Sequence, residues 1–451
     1  PYCPRYILPD YKKILEKGSK FLRLEPAEDF EMALDSLLIA YRHIPSVTHY
    51  PVYLGSVDEL LEPYMDTIDD KTAKNMIENW LFIISRLIPD SYCHMNIGPK
   101  STKVGNYILD AEIKHKEAIP SITLLYDEDI TDDDFAEKAL YCSQLCAKPS
   151  FANDRAYKKI TGYDYGIASC YNALPIGGGA FTLSRVMISN IAKKATSVDE
   201  FFNALLPDSM DVLLEFMESK IKYMVEESHF FKSNFLIKEE ILSPDKFTAM
   251  VGIVGLNECV NILLEKAGEK GKYAENELAD NMSYRVLEAI TKKLKAFKSK
   301  YASVSSNNFL LHAQVGIAED IGITPGIRIA IGEEPDLYEQ LKHQAKFEHF
   351  FPSGVGDIYP FDVTAQKNIG GILDIVKGAF DLGVQYFSTY CEDCDVVRVT
   401  GYLVKKSDLI KLDKGEAVGQ ANTTWGYYAA KNQHALERST KEISNVKGTN
   451  K

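Results

Sequence analysis

The residue types that could carry unusual chemistry lie near the end of the chain, in the run Arg398-Val-Thr-Gly-Tyr402. A glycine α-carbon can hold an unpaired electron because the flattened carbon shares it with the flanking amide nitrogen and carbonyl. A side chain would resist that flattening, whereas glycine adopts almost any backbone geometry. The same run also fits an ordinary turn that ends the strand-like segment Val396-Val-Arg-Val-Thr400. The pentapeptide alone leaves both interpretations open.

A cysteine upstream offers the hydrogen atom that such a glycine would exchange. Cys170 lies in Tyr165-Gly-Ile-Ala-Ser-Cys-Tyr-Asn172, ahead of the triple glycine at 177–179. S–H and glycyl Cα–H bonds are close in strength, so a hydrogen atom can pass between them in both directions. The resulting thiyl could then attack a substrate carbon in a dry cavity. The alternative is an inert buried thiol, because free cysteine is among the most buried residue types.

Together these segments resemble the radical loops of glycyl radical enzymes. The opening segment Cys3–Tyr11 and the run Ile167-Ala-Ser-Cys-Tyr-Asn172 are similar to the YjjI family of these enzymes, which is related to anaerobic ribonucleotide reductase and pyruvate formate-lyase. The resemblance covers most of the chain. It implies an α/β fold with a ten-stranded barrel of two half-barrels, surrounded by helices, in which the glycine and cysteine loops meet inside.

The resemblance also implies roles for individual residues and partners. It assigns the stored radical to Gly401 and the thiyl to Cys170, with Arg398, Tyr402 and Asn172 supporting the two loops. It implies a partner activase that uses S-adenosylmethionine and an iron–sulfur cluster to remove a hydrogen from the glycine. The enzyme is then oxygen-sensitive and a homodimer, and no tightly bound cofactor is expected.

Departures from better-known relatives bear on the reaction. Ser169 precedes Cys170 where pyruvate formate-lyase has a second cysteine, and Asn172 stands where dehydratases carry a glutamate base. An amide cannot take up a proton at neutral pH. Cys93 resembles by position a second reductase thiol, and Cys259 follows a glycine-rich run similar to one in the anaerobic reductase. Both are possible cavity or redox thiols, and because thiols outnumber bases around the inferred site, reduction of a ribose-like or polyol substrate is favoured.

Two other functions remain open at this point. One is a radical lyase or dehydratase that acts on a small polyol. The other is a non-catalytic barrel relative that serves as a binding or radical-repair module. Because repair proteins of this superfamily contain the glycine loop alone, a thiyl loop around Cys170 favours catalysis.

The pair Cys391 and Cys394 could be half of a zinc site or a redox pair. Anaerobic reductases hold zinc with four cysteines just before the glycine loop. Here the segment lacks a second pair, since Cys142 and Cys146 lie far upstream. Zinc is therefore not expected, and loop packing or thiol redox exchange is the favoured role.

The composition of the chain limits the kinds of molecule that it can bind. The 451 residues carry a net charge of −13, which argues against a nucleic-acid polymer or an anionic membrane and leaves a small-molecule substrate. No apolar run reaches the ~18 residues that a membrane span requires. Eight cysteines in a chain of this size do not suggest a disulfide scaffold, so a cytoplasmic protein with reduced thiols is expected.

Hydrophobic periodicity predicts the elements that position these residues. Helices are predicted over 27–43, 69–87, 181–195, 198–206, 208–227, 273–299 and 364–381, and strands over 120–126, 249–255, 308–312 and 384–389. Helices that alternate with buried strands indicate an α/β architecture. We expect one domain over 1–451, with a mainly helical part to residue 150, a barrel core over 151–384, and the radical loop and tail over 385–451.

Overall fold

The structure is a computed structural model that describes residues 2–48, 51–88, 92–314, 320–399, 401–419 and 421–443. Thr400, inside the glycine motif, lies outside the described residues. The strands in this part of the chain are β1 Tyr6–Leu8, β2 Tyr53–Ser56, β3 His94–Ile97, β4 Ser121–Tyr126, β5 Ser150–Asn153, β6 Tyr165–Ala168, β7 Asn172–Pro175, β8 Gly178–Met187, β9 Phe247–Val254, β10 Leu310–Ala313, β11 Asp357–Phe361, β12 Tyr386–Cys391, β13 Val396–Arg398 and β14 Leu403–Lys405.

Helices pack around these strands. They are α1 Tyr11–Lys17, α2 Phe30–Val47, α3 Val57–Leu61, α4 Asp70–Leu87, α5 Lys103–His115, α6 Asp133–Cys146, α7 Asp154–Thr161, α8 Ile188–Lys194, α9 Val198–Glu200, α10 Leu206–Lys222, α11 Phe230–Ser233, α12 Phe235–Lys238, α13 Leu256–Ala267, α14 Glu277–Ala296, α15 Leu337–Glu348, α16 Ile369–Leu382, α17 Lys406–Asp413 and α18 Ala421–Asn432. The helices predicted from periodicity over α2, α4, α14 and α16 are confirmed. Across the described ranges, none of the helices is both long and apolar enough to span a bilayer.

Ten strands form two sheets, which confirms the predicted α/β class. The four-stranded sheet has the order β1-β8-β9-β10, and the six-stranded sheet has the order β11-β12-β5-β4-β3-β2. Neighbouring strands are parallel except for β1 with β8 and β5 with β12. The sheets approach each other at both ends, because β1 packs beside β2 and Gly354, just before β11, accepts a hydrogen bond from Ala313 of β10.

The remaining strands form two hairpins. We call β6, β7 and their turn (165–175) the thiol hairpin, and β13, β14 and their turn (396–405) the glycine hairpin. Asn96 of β3 donates to the Ile167 carbonyl at 2.9 Å, and the Tyr171 hydroxyl donates to the Ala313 carbonyl of β10 at 2.6 Å. Because β3 and β10 belong to different sheets, the thiol hairpin lies between the sheets.

One predicted helix is wrong over half its length. The range 181–187 belongs to β8, and helix α8 begins at Ile188. Strand β8 pairs with β1 on one edge and β9 on the other, and this pairing overrides the local helical spacing. The triple glycine permits that pairing, because a side chain on Gly179 would overlap the Tyr6 carbonyl. The triple glycine therefore leads into a strand and does not open a helix.

The sheets combine strands from distant parts of the chain. The six-stranded sheet joins β2–β5 from the first third with β11 and β12, while β1 joins strands near residues 180, 250 and 310. The first 150 residues hold helices α1 to α6 and also contribute four complete strands to the sheets. The single-domain assignment stays a prediction.

Candidate active site

The tips of the two hairpins touch. Gly401 is buried in the turn of the glycine hairpin, and Cys170 is buried in the turn of the thiol hairpin. A methyl group added to Gly401 would overlap the Cβ of Cys170 and would lie 3.2 Å from its Sγ. The α-carbon and the sulfur are thus neighbours with no intervening side chain. A hydrogen atom could move between them without passing through water.

The turn of the thiol hairpin is held in an unusual backbone conformation. Ser169 has a φ of 65°, in the left-handed region that residues with a Cβ seldom adopt. The buried ring of His94, on β3, hydrogen-bonds through Nδ1 to the Ser169 carbonyl. This contact fixes the residue before Cys170, so the thiol is aimed by a side chain from the six-stranded sheet.

His94 belongs to a buried chain of polar groups. Its Nε2 lies 2.7 Å from Thr123 Oγ1, which lies 2.8 Å from the Tyr386 hydroxyl. Burial lowers the pKa of His94 to about 3, so the ring is neutral at pH 7 and donates from Nδ1. No sequence motif indicated His94, although alternation along the strand places it on the face opposite to the neighbouring Cys93.

Cys170 is buried among mainly apolar side chains. Its neighbours include Leu125, Ile167 and Tyr386, and its S–H donates to Asn172 Oδ1 across 3.5 Å. Burial raises the pKa of the Cys170 thiol. The sulfur therefore keeps its hydrogen at neutral pH, as hydrogen-atom exchange requires. Asn172 contacts the thiol as its predicted supporting position implies.

Two arginines hold the glycine hairpin. Arg398 is buried and donates from Nη2 to the Ala147 carbonyl at the end of α6, at 3.1 Å. Arg438, beyond α18, donates to the Arg398 carbonyl at 2.8 Å and also to the Val399 carbonyl. The turn that carries Gly401 is thus fixed from the body of the protein and from the tail. Nothing in the sequence pattern pointed to Arg438.

Tyr402, the residue after the glycine, is also buried. Its ring meets the Tyr92 ring edge-on, with 5.2 Å between centroids. Gly426 of α18 packs on the same ring, since a side chain there would overlap Tyr402. The aromatic pair links the glycine hairpin to the segment before β3, in keeping with the supporting position predicted for Tyr402.

The two other thiols predicted for the cavity lie elsewhere, which corrects that expectation. Cys93 comes one residue before His94, and alternation turns its side chain to the opposite face, near Tyr11 and Tyr41. Cys259 is buried on α13, a helix that packs against α8 and α14. Burial raises the pKa of Cys259 well above its ordinary value. Neither thiol shares the surroundings of Cys170.

Cys391 ends β12, and Cys394 leads into the glycine hairpin, where its thiol donates to the Val396 carbonyl. Burial raises the pKa of Cys391 to about 11 and that of Cys394 to about 12. Both are therefore protonated thiols in this structure. Among the described residues, no three His, Cys, Asp or Glu side chains are arranged to hold a metal ion.

The chain is similar to known proteins in sequence. A family model described as "Glycyl radical enzyme YjjI-like" matches residues 1–441. The chain belongs to this family. An uncharacterized protein of Haemophilus influenzae strain Rd is 44% identical to this glycyl radical enzyme over 427 residues, which cover 94% of this chain and 82% of the relative. The uncharacterized protein YjjI of Escherichia coli K12 is 39% identical over 447 residues, covering 98% and 86%.

Solved structures of other glycyl radical enzymes share the fold. Hydroxyproline dehydratase from Clostridioides difficile superposes with a TM-score of 0.71 at 13% identity, covering 93% of this chain and 68% of that one. Anaerobic ribonucleotide reductase from Thermotoga maritima, with glycerol in its active site, gives 0.68 at 16% identity, covering 92% and 82%. At these identities the likeness establishes the fold alone. Family membership establishes an enzyme of the glycyl radical class.

Proposed function

We propose that Gly401 stores the radical and that Cys170 carries it to the substrate. The contact between the two hairpin tips supports this assignment. The glycyl radical takes the hydrogen of the Cys170 S–H, which restores glycine and leaves a thiyl. The thiyl takes a hydrogen atom from a substrate carbon and returns to the thiol. The first radical is made by a radical S-adenosylmethionine activase that removes one Gly401 hydrogen.

The substrate reaction that fits the site best is a redox-neutral elimination from a small hydroxylated compound. Loss of hydrogen from a carbon that bears a hydroxyl lets the neighbouring hydroxyl leave as water, with its proton supplied by the first hydroxyl. The product radical then recovers a hydrogen from Cys170, so atoms and electrons balance. Reduction, which the sequence favoured, needs two electrons, and Cys93 and Cys259 are not placed to supply them.

Electron paramagnetic resonance after anaerobic activation tests the assignment. The wild type should show a doublet from the α-hydrogen of a glycyl radical, and Gly401→Ala should show none. Cys170→Ser should keep the doublet and lose all turnover, because an O–H bond is too strong to replace S–H in the exchange. Turnover that survives Cys170→Ser would show that Cys170 does not carry the radical to the substrate. Absence of the doublet under verified activase turnover overturns the assignment.

Product analysis separates the two reactions. Incubation of the activated enzyme with candidate diols and without an added reductant should yield carbonyl product and leave the radical signal intact. Product that appears only in proportion to an added reductant would favour reduction of a ribose-like substrate.

A further inference from the structure

The opening segment Cys3–Tyr11 places a cation beside the active site. Strand β1 pairs with the start of β8, and the Arg5 N–H donates to the Phe181 carbonyl at 3.0 Å. The Arg5 side chain stays accessible to solvent, and its Nε lies 3.4 Å from the Tyr6 hydroxyl. Tyr6 first, and then Tyr92 and Cys170, raise the pKa of Arg5.

A second cation reaches the same place from α10, which packs on β8. Lys220 Nζ donates to Thr182 Oγ1 at 3.0 Å, and that oxygen lies 3.3 Å from Ser184 Oγ. Burial and the charge of Arg5 lower the pKa of Lys220. Because Arg5 meets Phe181 and Lys220 meets Thr182, the two cations lie beside adjacent residues of β8.

No carboxylate in the described part of the chain pairs with either cation, and both side chains contact hydroxyl groups. Arg185, further along β8, does have such a partner, because it forms an ion pair with Asp320. The chain holds 64 acidic and 51 basic residues, so acidic partners are plentiful. Lys220 is half-buried and Arg5 is exposed beside it, and an anion from outside the polypeptide would supply the counter-charge that both cations lack.

The cation pair is connected to the reactive sulfur. Tyr6 lies beside the Asn172 amide, and both Arg5 and Cys170 act on the Tyr6 hydroxyl. Asn172 accepts the Cys170 S–H, while its Nδ2 is buried and meets no acceptor in good geometry among the described residues. The Asn172 amide thus lies between Tyr6 and the thiol, where a substrate hydroxyl would need a donor.

We propose that Arg5 and Lys220 bind the anionic oxygens of the substrate, a carboxylate or a phosphate carried by a small hydroxylated molecule. The planar guanidinium suits two oxygens at once, the ammonium supplies a point charge, and the hydroxyls of Thr182 and Ser184 complete the donor set. A neighbouring hydroxylated carbon then reaches Cys170. This inference rests on the proposed function for the role of Cys170, and it names the substrate class.

Calorimetric titration of the whole protein tests the anion site without turnover. The probes are glycerol 3-phosphate, glycerate and glycerol, which present phosphate, carboxylate and no charge. We expect at least one anion to bind, and Arg5→Gln and Lys220→Met each to weaken it about tenfold or more. Lys222→Met is the matched control, because Lys222 is exposed on the same helix and its substitution removes the same charge. It should leave binding unchanged, and circular dichroism confirms that each variant is folded.

Several outcomes overturn the anion site. These are equal binding of glycerol and the anions, failure of both anions to bind at millimolar concentration, and anion binding that neither Arg5→Gln nor Lys220→Met weakens. Preference between the two anions decides between phosphate and carboxylate. Paramagnetic resonance of activated Arg5→Gln keeps the tests separate. If the activated enzyme shows a normal doublet but the wild type binds neither anion, only the anion site is overturned. If the wild type binds an anion but shows no doublet, the proposed function is overturned and the anion site stands.

Discussion

At the scale of the residue, the packing around position 401 by itself requires a glycine. The Cβ of Cys170 occupies the volume that a side chain on residue 401 would need. We expect Gly401→Ala to lower the free energy of unfolding by about 1–3 kcal/mol, the usual cost of overpacking a rigid site. Urea denaturation measures the change.

Two further variants make that test specific. Gly419→Ala is the control, because an added methyl there meets no atom within 4 Å. Combining Gly401→Ala with Cys170→Gly removes the overlapping Cβ and should cost less than the sum of the two single changes. Strict additivity would contradict the contact between the tips.

Two buried histidines give the protein a characteristic response to acid. Burial lowers the pKa of His94 to about 3 and that of His312 to about 4, from 6.5 in the unfolded chain. The unfolded state therefore binds more protons below pH 6.5. Stability is complete above that value and is lost as the pH falls toward the folded pKa values.

The size of this effect can be measured. Between pH 7 and pH 5, each histidine should reduce the free energy of unfolding by about 2 kcal/mol. Comparing the pH dependence of wild type with His94→Gln and His312→Gln isolates each contribution, and the double variant should lose both. An unchanged slope in both single variants would show that the rings are not held neutral by burial.

At the scale of the element, the glycine hairpin depends on a side chain from outside it. Arg438 donates to two successive carbonyls of the turn, so Arg438→Met should free that turn. Hydrogen bonds from charged groups contribute about 1.5–3 kcal/mol, which corresponds to amide exchange at least about tenfold faster around Val399. Mass-resolved hydrogen exchange measures it. Lys431→Met, which removes an exposed ion pair with Asp413, should leave this exchange unchanged.

The elements also show what could be predicted from sequence. Helices α2 and α14 have a strong apolar stripe and followed from local periodicity. The start of β8 could not be predicted from local periodicity, because it forms a strand by pairing with β1 and β9, which are distant in the chain. The tip-to-tip meeting of Gly401 and Cys170 agreed with the family resemblance. Residues that reach the site through tertiary packing alone, such as Arg5 and Arg438, leave no local signal.

At the scale of the whole molecule, interleaved strands couple distant parts of the chain. The six-stranded sheet needs β2–β5 and β11–β12 together, so neither group completes a sheet alone. We expect one cooperative unfolding transition. With Trp425 replaced by phenylalanine, the fluorescence of buried Trp80 reports on α4. Its midpoint in urea should match that of far-ultraviolet circular dichroism, and two separate midpoints would contradict the single-domain prediction.

The order of the hairpins along the chain has a consequence for synthesis. The thiol tip leaves the ribosome early, but the backbone that covers it comes from residues 396–405, and the arginine that secures that cover is residue 438. A nascent or prematurely terminated polypeptide therefore carries the sulfur without its partner carbon. Contact between the two tips therefore waits until residues 396–405 have been made, so a product truncated before residue 401 holds Cys170 without the glycine that packs against it.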